Sequence, residues 1–219
     1  MIPFPNDAPL IEKLSESYGV ISEGYHFVDI FSFDEEILPI FGEPIFLVFL
    51  FPLGPKSGLL WNRHRDFVEQ RESCPWFSTQ EISNACGTMA ILHGFMNNLE
   101  KICVKNGSWF GNFVVNSLNL SPKQRGDLIK SDSSLLELHN ANSIESDIKI
   151  PSTAIDTHYS CFVEHNGSLW ELDGRQPFPL FYGKCYDLMK QTIDIIQQRY
   201  IPVLDDPMKI SLIGYTKSI

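Results

Sequence analysis

At 219 residues, with 43% hydrophobic and 20% charged residues, the chain is long and apolar enough for one globular domain with a substantial core. Its formal charge of −10, from 27 acidic and 17 basic residues with no Lys/Arg cluster, makes nucleic acid a poor partner; an acidic surface suits a basic protein or peptide, or simply keeps the chain soluble. Five cysteines without a C-x-x-C pair suggest neither a disulfide framework nor a thiolate zinc site, and the start "MIPFPNDAPL" lacks the regions of a signal peptide. The expectation is a monomer in a reducing compartment, cytoplasmic and also nuclear, with no metal, no cofactor and no membrane partner.

Residues 8–18 read as a helix, "HFVDIF" at 26–31 as a strand and "FDEEILPIF" at 33–41 as a short acidic helical turn. The longest apolar run, "IFLVFLF" at 45–51, is far short of a membrane span and fits a buried strand between Pro44 and Pro52. Proline and glycine in "FPLGPKSG" then break the pattern. Further on, Met89, Leu92, Met96 and Leu99 recur three and four apart, which predicts an amphipathic helix with Cys86 in its first turn. "SWFGNFVVNSL" at 108–118 predicts another helix, and Ser121 followed by Pro122 is a cap and first turn for a helix to about Lys130. Residues 139–157 are polar, without a sustained period, and read as an unusually long loop. "HYSCFVEHNGSLWELDGR" places two alternating runs around Asn166-Gly167, the strongest short-range hairpin signal there is, and "MKISLIGY" reads as a closing strand.

Cys86 can be read in two ways. Cysteine packs as a small hydrophobe, yet at the start of a helix it also feels the positive end of the dipole. The hairpin bears on the choice. If Asn166 and Gly167 form a two-residue loop, facing residues have numbers summing to 333; Asp173 then lies opposite Ser160 and shares a face with His158. Such diagonal neighbours lie about 7 Å apart between backbones, within reach of an imidazole and a carboxylate. The other histidines, His26, His64, His93, His139 and His165, have no comparable partner; His93 on the Cys86 helix reads as packed, and His165 flanks the turn.

A nucleophile at a helix start, a base on a strand and an acid on the next strand is the logic of a cysteine hydrolase. A helix dipole and an adjacent imidazolium can lower a cysteine pKa from about 8.5 to between roughly 3.5 and 7.5. Gln80, six residues before Cys86, can add an amide N–H to the Cys86 backbone N–H in holding an oxyanion.

"QEISNACGT" at 80–88, with His158 and "ELDGRQPFP" at 171–179, resembles the ubiquitin C-terminal hydrolases, whose signature is Q-x-x-x-N-A-C-G-T followed distantly by His and L-D-G-R. The resemblance continues through "HFVDIF", "FLFPLGP", "LSPKQR" and the final strand, so it covers essentially the whole chain in order. It implies a papain-like α/β fold, with a central antiparallel sheet flanked by helices and a knotted backbone, and a single catalytic domain over 1–219. It further implies that Cys86 is the nucleophile, His158 the general base and acid, Asp173 its orienter and Gln80 the oxyanion donor. A crossover loop at about His139 to Thr157 and an acidic contact at Asp29 are implied on the substrate side. The implied activity is removal of small adducts or short peptides from the C-terminal glycine of ubiquitin through a thioester, with Nedd8 as a related modifier. The alternative is a protein that holds free ubiquitin with incidental turnover.

Overall fold

Asp7 opens the first helix, α1 (Ala8–Tyr18): its Oδ1 accepts the Leu10 N–H at 2.9 Å, and Gly19 at φ 99° supplies the left-handed residue that ends the helix. Ile11, Leu14 and Tyr18, spaced three and four apart, form its buried face. The structure, a computed structural model, describes residues 6–56, 60, 74–144 and 157–217.

After α1 come β1 (Val20–Ile21), β2 (Tyr25–Asp29) and β3 (Pro44–Pro52), then α2 (Cys86–Met96), β4 (Cys103–Val104), α3 (Trp109–Ser117), α4 (Pro122–Ser131) and α5 (Ser133–Ile144). The second half contributes β5 (Thr157–His165), β6 (Ser168–Leu172), β7 (Leu180–Lys184), α6 (Leu188–Ile195) and β8 (Ser211–Lys217). β1 and β4 pair with each other, and the other six strands form one antiparallel sheet in the order β2-β8-β3-β5-β6-β7.

Both faces of that sheet are covered, which is why β3 reads as a continuous apolar run rather than an alternating one. Phe46 and Val48 enter a core shared with α1 to α5, while Leu47, Phe49 and Phe51 enter a second core closed by α6 and the turns after it. The hairpin takes the expected register. Asn166 (φ 50°) and Gly167 (φ 71°) both occupy the left-handed region of a two-residue turn, and every pair from His165↔Ser168 to Cys161↔Leu172 sums to 333.

Two expectations are corrected. α2 is not amphipathic: every residue from Thr88 to Met96 is buried, because the helix runs through the interior against β3 and β5, and it ends before Leu99. Gly94 permits that approach, since a Cβ there would lie 2.4 Å from Cδ2 of Phe46. The loop expected over 139–157 is helical at its start, with His139 to Ile144 belonging to α5 and Thr157 to β5. Asp132 Oδ1 accepts the Leu135 N–H at 3.0 Å and so starts that helix, and Leu135 and His139, one turn apart, are fully buried. Residues 145–156 of the expected loop lie outside the described residues.

Candidate active site

Three chain segments meet where β5 begins. Cys86 is the first residue of α2, which is entered through Asn84 in the left-handed region at φ 62°, a conformation asparagine tolerates better than most residues. The thiol is half-buried. His158, the second residue of β5, is fully buried directly across from Phe51 of β3. Asp173 follows the last residue of β6 and is 2% exposed; its Oδ1 lies 2.6 Å from His158 Nε2 and accepts the Arg175 N–H at 2.9 Å. Nε2 is engaged by Asp173, and Cys86 lies within electrostatic reach of the same ring. Cys86 arrives from the helix layer on one face of the sheet and His158 and Asp173 from the opposite face, so they can meet only at the sheet's end.

The electrostatics favour an ion pair. Burial pushes the Cys86 thiol up, but the hydrogen bond and charge of His158, the Tyr159 backbone and the Arg175 guanidinium together bring it below its ordinary value. Burial also opposes an imidazolium at His158, yet the charge and hydrogen bond of Asp173, helped by Cys86, push its pKa up to about 9. The thiols of Cys103, Cys161 and Cys185 shift the other way: a hydrogen bond to Glu23 holds up Cys103, and burial holds up the other two.

Gln80 sits against the residue after Asp173. Its backbone N–H donates to the Gly174 carbonyl at 2.7 Å, and a Cβ on Gly174 would lie 2.9 Å from the Gln80 Cβ, so this close approach depends on glycine. The Gln80 amide donates one N–H to the Ile82 carbonyl at 3.0 Å and carries a second. The segment leading to Gln80 is clamped by two residues to which sequence reasoning gave no part in the site. Arg125 donates to the carbonyls of Phe77 (2.7 Å), Ser117 (3.1 Å) and Leu118 (3.1 Å) and lies over the Trp76 ring at 4.8 Å. His93 is buried as expected; it stacks on Phe77 at 5.1 Å, its Nε2 accepts the Ser78 N–H at 3.2 Å, and burial brings its pKa down to about 4. Neither role has a local sequence signal, because both depend on contacts between segments 15 to 48 residues apart.

Two residues expected on the substrate side, Asp29 and His139, have other surroundings in the structure. Asp29 ends the edge strand β2 and is exposed; burial and the neighbouring charge of Asp7 hold its carboxyl above the ordinary range, against a hydrogen bond from the Ala8 backbone. His139 is buried with Nδ1 3.1 Å from Oγ1 of Thr88, and so ties α5 to α2. Among the described residues, no group of three or more His, Cys, Asp or Glu side chains is arranged to hold a metal ion, and no helix is long and apolar enough to cross a membrane.

The profile of the family described as "Ubiquitin carboxyl-terminal hydrolase, family 1" matches residues 1–201. A ubiquitin carboxyl-terminal hydrolase of Aplysia californica is 30% identical over 187 residues, 83% of this chain and 85% of that protein. The isozyme L1 of Homo sapiens is 28% identical over 201 residues, 90% of this chain and 89% of that protein. Among solved structures, the Trichinella spiralis UCH37 catalytic domain bound to ubiquitin vinyl methyl ester superimposes with a TM-score of 0.79 at 19% identity, covering 99% of this chain and 95% of that one. A match over residues 1–201 means that the chain belongs to the ubiquitin carboxyl-terminal hydrolases, family 1, and is a cysteine peptidase.

Proposed function

We propose that the whole chain is one catalytic domain that cleaves small adducts or short peptides from the C-terminal glycine of ubiquitin, with Cys86, His158, Asp173 and Gln80 as its working residues. The observation that carries this reading is the buried contact of 2.6 Å between His158 and Asp173, with the Cys86 thiol within electrostatic reach of the imidazole. The Cys86 thiolate attacks the glycine carbonyl, and the oxyanion is held by the Cys86 backbone N–H and the second amide N–H of Gln80. His158 as imidazolium gives its proton to the leaving amine as the C–N bond breaks, leaving a thioester on Cys86. Neutral His158 then takes a proton from water, whose oxygen attacks the thioester carbonyl. The departing thiolate and the reprotonated imidazole restore the ion pair.

Ubiquitin as the substrate is supported by the family and by the Trichinella protein, which is bound to ubiquitin vinyl methyl ester. The charge of −10 suits a basic partner and would act mainly on the association rate. Nedd8 is included as a second modifier, and the chain is taken to act as a monomer in cytoplasm and nucleus, without nucleic acid or membrane. The test is turnover of a ubiquitin C-terminal amide reporter beside the measured dissociation constant for ubiquitin. Cys86→Ala should abolish turnover and leave affinity within a few-fold; substantial turnover in that variant would remove the assigned nucleophile.

A further inference from the structure

The face of the sheet that carries His158 and Asp173 also carries a buried carboxylate that the reaction does not use. Glu171 on β6 is fully buried and precedes Asp173 by two residues, so both side chains point to the same face. A buried carboxylate is costly unless its oxygens are hydrogen bonded, and two phenols meet this need. Tyr182 of β7 donates to Oε2 at 2.8 Å and Tyr200 donates to Oε1. The two tyrosines then diverge. Tyr182 carries the Arg199 guanidinium over its ring at 5.2 Å and packs towards Phe162. Tyr200 packs towards the site, its ring 5.0 Å from that of Phe51 at 60°, and Phe51 meets the ring of His158 edge-on at 5.6 Å and 88°.

Phe49 confines another side of the Tyr200 ring at 5.0 Å and 83°, and Tyr200 is itself 1% exposed. The residue is delivered by a π-helical turn, Ile196–Tyr200, that continues α6; such wide turns frequently mark functional positions in helices. We propose that Tyr200, pinned by Glu171, is a positioning residue: it fixes Phe51 and, through it, the plane in which His158 bridges Asp173 and Cys86. The inference rests on the assignment of those three residues above. Removing the Tyr200 hydroxyl releases one end of this stack. A turn of the imidazole then misaligns its hydrogen bond to Asp173 and its approach to Cys86, and hydrogen bonds weaken steeply with angle.

The experiment is the rate of alkylation of Cys86 by iodoacetamide against pH, without ubiquitin, read on the Cys86 peptide by mass spectrometry, beside steady-state hydrolysis of the amide reporter. Wild type should show an acid limb well below that of an ordinary thiol, about 8.5. Tyr200→Phe should move the limb up by about half a pH unit or more and lower kcat about tenfold with KM within about twofold. Tyr182→Phe removes an equivalent hydrogen bond from Glu171 without touching Phe51, and should leave limb and kcat near wild type. Should Tyr200→Phe not fold, Glu171→Gln, which keeps the shape and removes the charge that holds the phenol, should move the limb in the same direction. An unchanged limb and kcat in Tyr200→Phe, or equal effects in Tyr200→Phe and Tyr182→Phe, would overturn the inference by making the cluster purely structural. A wild-type limb near 8.5 would instead remove the ion-pair assignment, and the inference with it.

Discussion

Replacing Asp173 with asparagine keeps an oxygen that can accept from His158 Nε2 and from the Arg175 N–H, but deletes the charge that stabilises a buried imidazolium. In the folded protein burial works against that imidazolium, and Asp173, helped by Cys86, more than offsets it, taking His158 from 6.5 to about 9. At about 1.4 kcal/mol per pH unit this amounts to about 3 kcal/mol, so Asp173→Asn should lower kcat/KM at pH 8 by about a hundredfold or more. The sign with pH follows from which form is favoured. A raised histidine keeps its proton as pH rises until it passes through about 9, so the alkaline limb of wild-type activity should lie near there. Without the aspartate charge, burial dominates and the limb should move to lower pH. The assay is kcat/KM for a ubiquitin amide reporter from pH 5 to 10, with circular dichroism to check that the fold is retained. An alkaline limb that does not move, with kcat/KM within threefold of wild type, would show that Asp173 is structural and does not stabilise the imidazolium.

Gln80→Ala should lower kcat about a hundredfold while changing ubiquitin affinity little, because an oxyanion donor acts when charge develops; an equal loss of affinity would make Gln80 a ground-state contact. Gly174→Ala should lower kcat about tenfold, since its methyl would crowd Gln80 from 2.9 Å, and an unaffected rate would show that this approach is not needed. His93 is held neutral by burial with a pKa of about 4, so its contribution to stability is present above its unfolded value of about 6.5 and is lost as pH falls through about 4. Denaturant unfolding from pH 7 to 4 should therefore show wild type losing about 3 kcal/mol more than His93→Gln, and parallel curves would contradict this. Gly94→Ala should destabilise by about 2 kcal/mol, because a methyl there strikes the Phe46 ring, and unchanged stability would show that α2 can move off β3.

What could be read from the sequence was governed by local geometry. The pairing of His158 with Asp173 was legible because a strand has a period of two and an Asn-Gly turn of two residues fixes parity, so one dipeptide sets which side chains share a face fifteen residues apart. The start of α2 at Cys86 was legible, but its environment was not. Met89, Leu92 and Met96 imitate an amphipathic stripe although the residues between them are equally buried, and periodicity does not register what covers the far side of a helix. α5 was missed for the opposite reason: its polar surface outnumbers the few buried positions, Leu135 and His139 among them. The contacts of Arg125 with Phe77, of His93 with Ser78 and of Glu171 with Tyr200 join distant segments, and the periodicity of a single element does not reveal them.

The most direct test of the account is reaction of the full chain with ubiquitin vinyl methyl ester, followed by peptide mapping of the adduct. One covalent ubiquitin per chain is expected, attached to Cys86 and absent in Cys86→Ala. No adduct, or attachment at the exposed Cys74 or Cys103, would contradict it.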